Sequence, residues 1–516
     1  MTVVLSSILL VIFFAIMIGV GIYTRKSATD VNGFVLGGRS VGPWLTAFAF
    51  GTSYFSAVIF VGYAGQFGWL YGTSATWAGL GNAFIGSLLA WKILGRRTRI
   101  MTQSLDTKTM PDYFGIRFDS KALKIAASVI IFIFLIPYTA SLYNGLSSLF
   151  GLVFDMPYWV VIAVMAVLTG IYVIFGGYMA TAINDFIQGI IMLIGITAVI
   201  FAVLNDNGGL LSAMQKLSAV ECEGWSGGAY SSFLGPDPLA LAFVVILTSL
   251  GTWGLPQMVG KFYAIKSEKD IHKGTIISTL FAIIVAGGCY FLGGFGRLFS
   301  DQIDIKANGF DSVIPTMLSG LPDILIAVVV ILVLSASMST LSSLVLTSSS
   351  TMTLDLLKGR FVQEMDEKKQ VFVMRCLIVV FVVISVVLAI IQYKSSVTFI
   401  AQLMGVSWGA LAGAFLAPFL YGLYWKGASR AGVWCCFIFS TVVMLANVVA
   451  RSSFPVLIQS PINAGAFCML AGLVIVPVVS VFTPKPDKEV VDGSFACYDA
   501  KVLVPRRRAL EEDAQG

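Results

Sequence analysis

The stretch Ser335-Ala-Ser-Met-Ser-Thr-Leu-Ser-Ser343 is a dense run of hydroxyl side chains inside a long apolar segment. At about 100° per residue, Ala336, Ser339, Thr340 and Ser343 share one face of a helix. Hydroxyls and freed carbonyls suit a hard cation such as Na+, which prefers oxygen ligands. Ser and Thr also let membrane helices pack closely or bond their own carbonyls. Both interpretations are open from this stretch alone.

The composition indicates an integral membrane protein. Of the 516 residues, 57% are hydrophobic and only 12% are charged, whereas soluble domains are about half apolar and a quarter charged. Apolar runs long enough to cross a bilayer predict about thirteen helices. Numbered in chain order, the predicted spans 1 to 13 are 3–23, 43–63, 72–94, 122–150, 157–179, 183–204, 235–255, 274–297, 320–350, 373–392, 397–423, 431–450 and 461–482.

Basic residues predict the orientation of these spans. Lys and Arg cluster after spans 1, 3, 7, 9 and 11 and in the tail, and the loops between carry few. Because basic loops stay in the cytoplasm, we expect the N-terminus outside and the C-terminus inside the plasma membrane. The net charge of +6 therefore reflects topology and gives no support to a nucleic-acid partner.

Residues 1–482 are expected to form a single transmembrane domain. The tail, 483–516, is charged and contains Pro484 and Pro486, which is typical of a flexible cytoplasmic extension. The seven cysteines have no metal-site spacing, and the single histidine, His272, lies in a basic loop. No nucleophile elbow or P-loop is visible, so we expect neither an enzyme nor a cofactor.

Two spans contain residues that interrupt helices. Span 2 holds Ala49-Phe-Gly-Thr-Ser-Tyr-Phe-Ser56, and span 7 holds Ser249-Leu-Gly-Thr-Trp-Gly-Leu-Pro-Gln257. Glycine weakens a helix and proline removes one of its hydrogen bonds. Unwound backbone at membrane depth must line a cavity or protein interior, and such breaks in two spans about five apart indicate inverted repeats around a midplane site. A simple kink is the alternative.

Asp185 begins span 6 beside the apolar run 186–203. An aspartate near a helix start can cap free amides. A carboxylate at the edge of hydrocarbon can also bind a cation. This residue alone leaves both roles open.

Several ordered motifs resemble the sodium:solute symporters, which include proline, pantothenate, sugar and sialic acid transporters. The likeness runs from about residue 5 to 480. The motifs are Val35-Leu-Gly-Gly-Arg-Ser40, Met110-Pro-Asp-Tyr-Phe114 with Arg117-Phe118, Phe175-Gly-Gly177 with Asn184-Asp-Phe-Ile-Gln188, Met338-Ser-Thr-Leu-Ser-Ser343 with Asp355, and Gly422-Leu-Tyr-Trp-Lys426.

The resemblance implies an all-α fold of leucine-transporter type, with inverted five-helix repeats at about 43–204 and 235–423. It implies a monomeric symporter that couples Na+ to the uptake of a small organic solute. The family's shared sodium site maps to Thr52, Phe55, Ala336, Ser339 and Thr340. A second site, present in some members, maps to Asp185, Ser339, Ser342 and Ser343, so two Na+ per solute are expected.

The substrate residues follow from position in the implied fold. The proline branch has an Asp where this chain has Tyr54 and a Tyr where it has Thr252, and the sugar branch has a Gln where it has Ile59. These departures favour another amino acid or a pantothenate-like carboxylate over proline or a sugar. A sugar or sialic acid symporter and a transporter-like sensor are the alternatives. The residues expected to face the central cavity are Tyr54, Ser56, Tyr138, Thr252, Trp253 and Gln402.

Overall fold

Long apolar helices make up most of the chain. The computed structural model describes residues 2–150, 154, 157–358, 365–395 and 400–499. Within these ranges, ten helices are long and apolar enough to cross a membrane, and a bent pair, Pro238–Gly254 with Pro256–Ala264, gives an eleventh crossing. The described residues form no strand beyond an isolated bridge between Val41 and Ile265. The chain is therefore an all-α, multi-pass membrane protein.

Most helix bounds lie close to the predicted spans, but Val58–Ser104 continues from the end of predicted span 2 through span 3, and Tyr158–Asp206 covers spans 5 and 6. The membrane helices are Thr2–Thr24, Pro43–Tyr54, Val58–Ser104, Lys121–Phe150, Tyr158–Asp206, Pro238–Gly254, Pro256–Ala264, Glu268–Gly293, Asp323–Leu357, Glu367–Ser395, Ile400–Tyr424, Arg430–Val449 and Pro461–Phe482. Short helices outside them include Val31–Leu36, Met110–Arg117, Leu210–Ser218, Ile305–Asn308, Val313–Ser319 and Lys488–Asp499.

The helix Tyr158–Asp206 has 49 residues. At about 1.5 Å per residue, a straight helix of this length would be more than twice as long as the hydrocarbon core is thick, which is about 30 Å. Gly177 breaks it, with φ 54° and ψ −143°, a conformation that a side chain disfavours. A Cβ there would also lie 2.8 Å from the Phe34 carbonyl oxygen. The glycine thus divides this helix into spans 5 and 6, whereas the total of thirteen crossings stays a prediction.

The predicted breaks in spans 2 and 7 are confirmed. Span 2 ends its first helix at Tyr54, passes through Phe55 in an extended conformation (φ −82°, ψ 110°), and resumes helical structure after Ser56. Span 7 breaks at Leu255 (φ −81°, ψ 123°) and bends by 45°. Each break frees backbone carbonyls at the end of a half-helix.

Span 9, the helix Asp323–Leu357, lies in the middle of the protein. Most of its surface is covered, and every residue from 329 to 346 is buried. Helices of spans 1, 4, 5, 6 and 10 and the first half of span 2 pack around it. The hydroxyl run therefore faces other helices and does not face lipid.

Part of the expected flexible tail is ordered. Lys488–Asp499 form a helix that buries Val491 and Phe495. Its Asp492 pairs with Lys426 at 2.8 Å, and this contact lowers the pKa of the exposed Asp492 carboxyl. Residues 500–516 lie outside the described residues.

Candidate functional site

The hydroxyls of span 9 meet the break in span 2. The Ser339 and Thr340 hydroxyls donate to the Thr52 carbonyl at 3.2 and 3.1 Å. Thr340 also lies 3.4 Å from the Phe55 carbonyl, and both hydroxyls contact the Ala336 carbonyl, at 3.1 and 3.2 Å. All five residues predicted for the first sodium site are thus brought together.

This first cluster contains only neutral oxygens. Two of them belong to the C-terminal end of the first half of span 2, where the helix dipole is negative and carbonyls lack intrahelical partners. Hydroxyls and carbonyls are the ligands that a hard cation prefers. The donor set fits Na+, and the bonds to Ala336 also match the alternative of hydroxyls bonded to their own helix.

The Asp185 carboxylate lies fully buried, in the second predicted cluster. It follows the Gly177 break by two helical turns, and neither carboxylate oxygen has a hydrogen bond within the described residues. A side chain so deep in a helix cannot cap its first turn. The capping alternative for Asp185 is therefore wrong.

The buried cation beside Asp185 is Lys261, which the sequence analysis missed. Its Nζ lies 3.7 Å from Asp185 Oδ2 and 3.0 Å from the Ser343 hydroxyl. The charge pattern had assigned Lys261 to a cytoplasmic loop. Lys261 has apolar neighbours in the stretch 258–265, and this was the sequence signal that could have indicated a buried lysine. Lys261 belongs to Pro256–Ala264, the second half of broken span 7.

Ser343 and Ser342 of the second predicted cluster differ in their hydrogen-bond partners. Ser343 reaches both Lys261 and the Ser53 hydroxyl, the latter at 2.8 Å. Ser342 donates to the Ser339 carbonyl of its own helix at 2.9 Å. Ser343 therefore joins the Asp185 and Lys261 pair, whereas Ser342 is held by span 9 itself.

Three of the predicted substrate residues form a buried group next to the first cluster. Tyr54 and Ser56 flank Phe55 at the break of span 2, and Tyr138 lies near Ser56 and packs edge-on against Trp408, with 6.1 Å between ring centroids. The polar atoms of all four side chains are buried and have no hydrogen bond of normal geometry within the described residues. Unpaired buried polar groups are costly, and the prediction that these side chains contact a bound solute would give them hydrogen-bond partners.

The structure does not bring the other three predicted substrate residues into this group. Thr252 donates to the Gly86 carbonyl at 2.8 Å, and Trp253 Nε1 donates to the Ile85 carbonyl at 3.0 Å. Both therefore bind span 7 to span 3. Gln402 accepts a hydrogen bond from Arg451 at 3.0 Å, in an exposed position. These three side chains lie outside the group around Tyr54, and their role in substrate binding stays a prediction.

Other buried polar side chains extend the group and were also missed. Tyr290 lies within electrostatic range of Tyr54 and Tyr63 and beside Asn82, and Tyr63 is close to Tyr138. Their side-chain polar atoms likewise have no hydrogen bond within the described residues. Sequence periodicity cannot separate such tyrosines from ordinary core aromatics, because both are buried.

Two arginines of the family motifs, Arg39 and Arg117, donate hydrogen bonds to backbone carbonyls outside the two polar clusters. Arg39 donates to the Thr107 carbonyl at 2.6 Å. Arg117 donates to the Gly422 and Trp425 carbonyls at 2.9 and 3.1 Å. Burial lowers the pKa of both guanidinium groups. These motif residues hold loops to helix ends and lie apart from the two polar clusters.

The chain is similar in sequence to known transporters. A sodium/proline symporter of Staphylococcus aureus is 31% identical over 437 residues, covering 82% of each protein. An osmoregulated proline transporter of Bacillus subtilis is 28% identical and covers 92% of this chain and 94% of its own length. A third relative, a sodium/proline symporter of Staphylococcus saprophyticus, is 29% identical over 502 residues.

Solved structures give the fold. A Na+-coupled sialic acid symporter in a substrate-bound outward-open state matches with a TM-score of 0.73 and 17% identity, covering 94% of this chain and 99% of the symporter. The nucleobase-cation-symport transporter Mhp1 matches with a TM-score of 0.52 and 14% identity. Both likenesses support a leucine-transporter-type fold. The profile of the sodium:solute symporter family matches residues 34–439, and the chain belongs to this family of Na+-coupled symporters for small solutes.

Proposed function

We propose that this symporter imports an amino acid or a related carboxylate across the plasma membrane, as a monomer, with Na+ bound by Thr52, Phe55, Ala336, Ser339 and Thr340. The single observation that carries the proposal is the contact of the Ser339 and Thr340 hydroxyls with the Thr52 carbonyl. It joins span 9 to the broken half-helix of span 2 through oxygens alone.

The same break supports coupling between ion and solute. Phe55 supplies a carbonyl to the first cluster, and its neighbours Tyr54 and Ser56 belong to the buried polar group. Bound Na+ stabilises one conformation of this segment, and the solute binds that conformation more tightly. Such differential affinity is what linkage between two sites requires.

The energy comes from the sodium gradient and the membrane potential. Inward movement of one charge yields about 2.3 kcal/mol per 100 mV. The basic loops support an orientation with the N-terminus outside and the C-terminus in the cytoplasm. Solute uptake is therefore expected to be electrogenic when the solute is a zwitterion.

The relatives named as proline transporters make proline the first solute to test, although Tyr54 and Thr252 depart from the residues of the proline branch. Proteoliposomes containing the purified protein are offered radiolabelled proline, other amino acids, pantothenate, sialic acid and glucose. Uptake is compared under an inward Na+ gradient and an equal K+ gradient. We expect Na+-dependent accumulation of an amino acid or pantothenate; sugar or sialic acid accumulation alone would contradict the proposed solute class.

A matched pair of variants tests the ion site. Ser339→Ala with Thr340→Ala removes both hydroxyls from the first cluster. Ser348→Ala removes a buried hydroxyl of the same helix that makes no hydrogen bond within the described residues. Sodium dependence that is lost in the double variant and kept in Ser348→Ala supports the site; equal behaviour of the two variants would reject it.

A further inference from the structure

A side chain of the protein already supplies a cation at the second predicted sodium position. Lys261 is buried, and its Nζ lies 3.7 Å from the Asp185 carboxylate and 3.0 Å from Ser343 Oγ. The same Nζ lies 5.1 Å from the centre of the Tyr178 ring, where the face of an aromatic ring attracts a cation. Burial disfavours a charged ammonium group, and the neighbouring carboxylate, hydroxyl and ring face act against that penalty and favour the charged form.

The hydrogen bonds around Lys261 have a fixed direction. An ammonium can only donate, so Ser343 Oγ accepts from Lys261. Ser53 donates to the Ala49 carbonyl at 2.5 Å, which leaves Ser343 to donate to Ser53 across 2.8 Å. The lone pairs of Ser343 therefore face the ammonium, as they would face a bound metal cation.

Four spans meet at this ammonium group. Ser53 lies in span 2, Asp185 in span 6, Lys261 in span 7 and Ser343 in span 9. Two of these spans are the broken ones. The Lys261 side chain thus links broken span 7 to spans 6 and 9, and Ser343 extends the link to Ser53 of broken span 2.

We propose that Lys261 is a tethered cation that takes the second cation position, so that the protein binds and carries a single Na+. The proposal rests on the proposed function, because it assumes that the first cluster binds Na+. It replaces the expectation of two ions drawn from Asp185, Ser342 and Ser343. A second Na+ would have to share the Asp185 carboxylate with Lys261, and like charges at close range repel each other strongly in a buried site.

The cavity lined by Lys261 has the positive charge that the proposal predicts. A cavity of about 50 Å³ has Lys261, Ser343, Tyr178, Gln257, Lys108 and Thr109 in its lining. Its described lining contains two lysines and no carboxylate. Such a lining disfavours a free cation and favours a neutral or anionic group.

Equilibrium binding of radioactive Na+ to the purified protein in detergent tests the proposal without knowledge of the solute. We expect one Na+ per wild-type protein and two per Lys261→Ala protein, because that variant leaves Asp185 and Ser343 for a second ion. Two ions in the wild type, or one ion in folded Lys261→Ala, would overturn the proposal. If the variant fails to fold, the number of Na+ ions bound by the wild-type protein still tests the proposal.

Control variants separate this proposal from the proposed function. Lys261→Arg keeps a cation and is expected to bind one Na+, as is the uncharged pair Lys261→Met with Asp185→Asn. Ser339→Ala with Thr340→Ala is expected to bind none. A wild type that binds no Na+, or a Ser339 and Thr340 double variant that still binds one, contradicts the proposed function. The difference of one ion between Lys261→Ala and wild type tests Lys261 alone.

Discussion

Span 9 presents two polar clusters about one helical turn apart, and they differ in charge. The first cluster joins Ser339 and Thr340 to carbonyls of span 2 and contains neutral oxygens. The second joins Ser343 to Lys261 and Asp185, a buried cation and a buried carboxylate. The first cluster therefore carries no charge of its own, whereas the second contains both a cation and a carboxylate.

This difference suits two distinct tasks. An ion that is transported must leave, and neutral ligands hold a cation less tightly than a carboxylate does. A lysine side chain cannot be released, so the second cluster links spans 6, 7 and 9 without an ion from solution. The first cluster would then respond to the sodium gradient and the second would preserve the geometry that both broken spans need.

The largest effect is expected from breaking the charged cluster. Asp185→Asn leaves the Lys261 ammonium buried without its counter-charge, a change that costs about 3–5 kcal/mol of stability. The unfolding midpoint in detergent should fall sharply. Adding Lys261→Met to Asp185→Asn should recover much of the loss, and a stable single variant would show that the pair is not an ion pair.

The next effect is expected in the neutral cluster. Ser339→Ala with Thr340→Ala removes two oxygen ligands, each worth about 1–1.5 kcal/mol. The half-saturating Na+ concentration for uptake should therefore rise about 100-fold. The unfolding midpoint should fall, because the buried Thr52 and Ala336 carbonyls lose hydrogen bonds, but less than in Asp185→Asn, because no charge is left unpaired. A normal Na+ response in the double variant would contradict the role of the first cluster.

A smaller effect is expected where the solute binds. Tyr138→Phe removes a buried hydroxyl without a hydrogen bond in the described part of the chain, so stability should hold. Solute affinity should fall about fivefold, the equivalent of one hydrogen bond of about 1 kcal/mol, while Na+ binding without solute is unchanged. Tyr113→Phe, another buried tyrosine with an unpaired hydroxyl, is the control and should leave solute affinity intact.

The smallest effect is expected outside both clusters. Thr252→Val removes the hydrogen bond to the Gly86 carbonyl and should cost about 1 kcal/mol of stability. Solute affinity and Na+ response should stay at wild-type values in uptake assays. A selective loss of solute affinity would return Thr252 to the cavity wall.

The sequence itself predicted the broken spans and the hydroxyl face of span 9, because both depend on local chemistry. Gly51 and Pro256 mark places where a helix fails, and the spacing of Ser339 and Thr340 places them on one helix face. The pairing of that face with Thr52 and Phe55 was implied by the family resemblance. The contacts of Thr252, Trp253 and Lys261 were not foreseen, because their partners lie on other spans. Which way a side chain turns at a break depends on tertiary packing, and a basic residue near a span end looks like a loop charge.

The ratio of Na+ to solute carried in one turnover tests most directly whether the protein couples a single Na+ to its solute. Initial uptake of radioactive Na+ and of the identified solute is measured in the same proteoliposomes at a fixed membrane potential. Sodium coupling through the first cluster, with Lys261 in the second, predicts one Na+ per solute in the wild type. A ratio of two would contradict the tethered lysine, and solute uptake without Na+ uptake would contradict sodium symport.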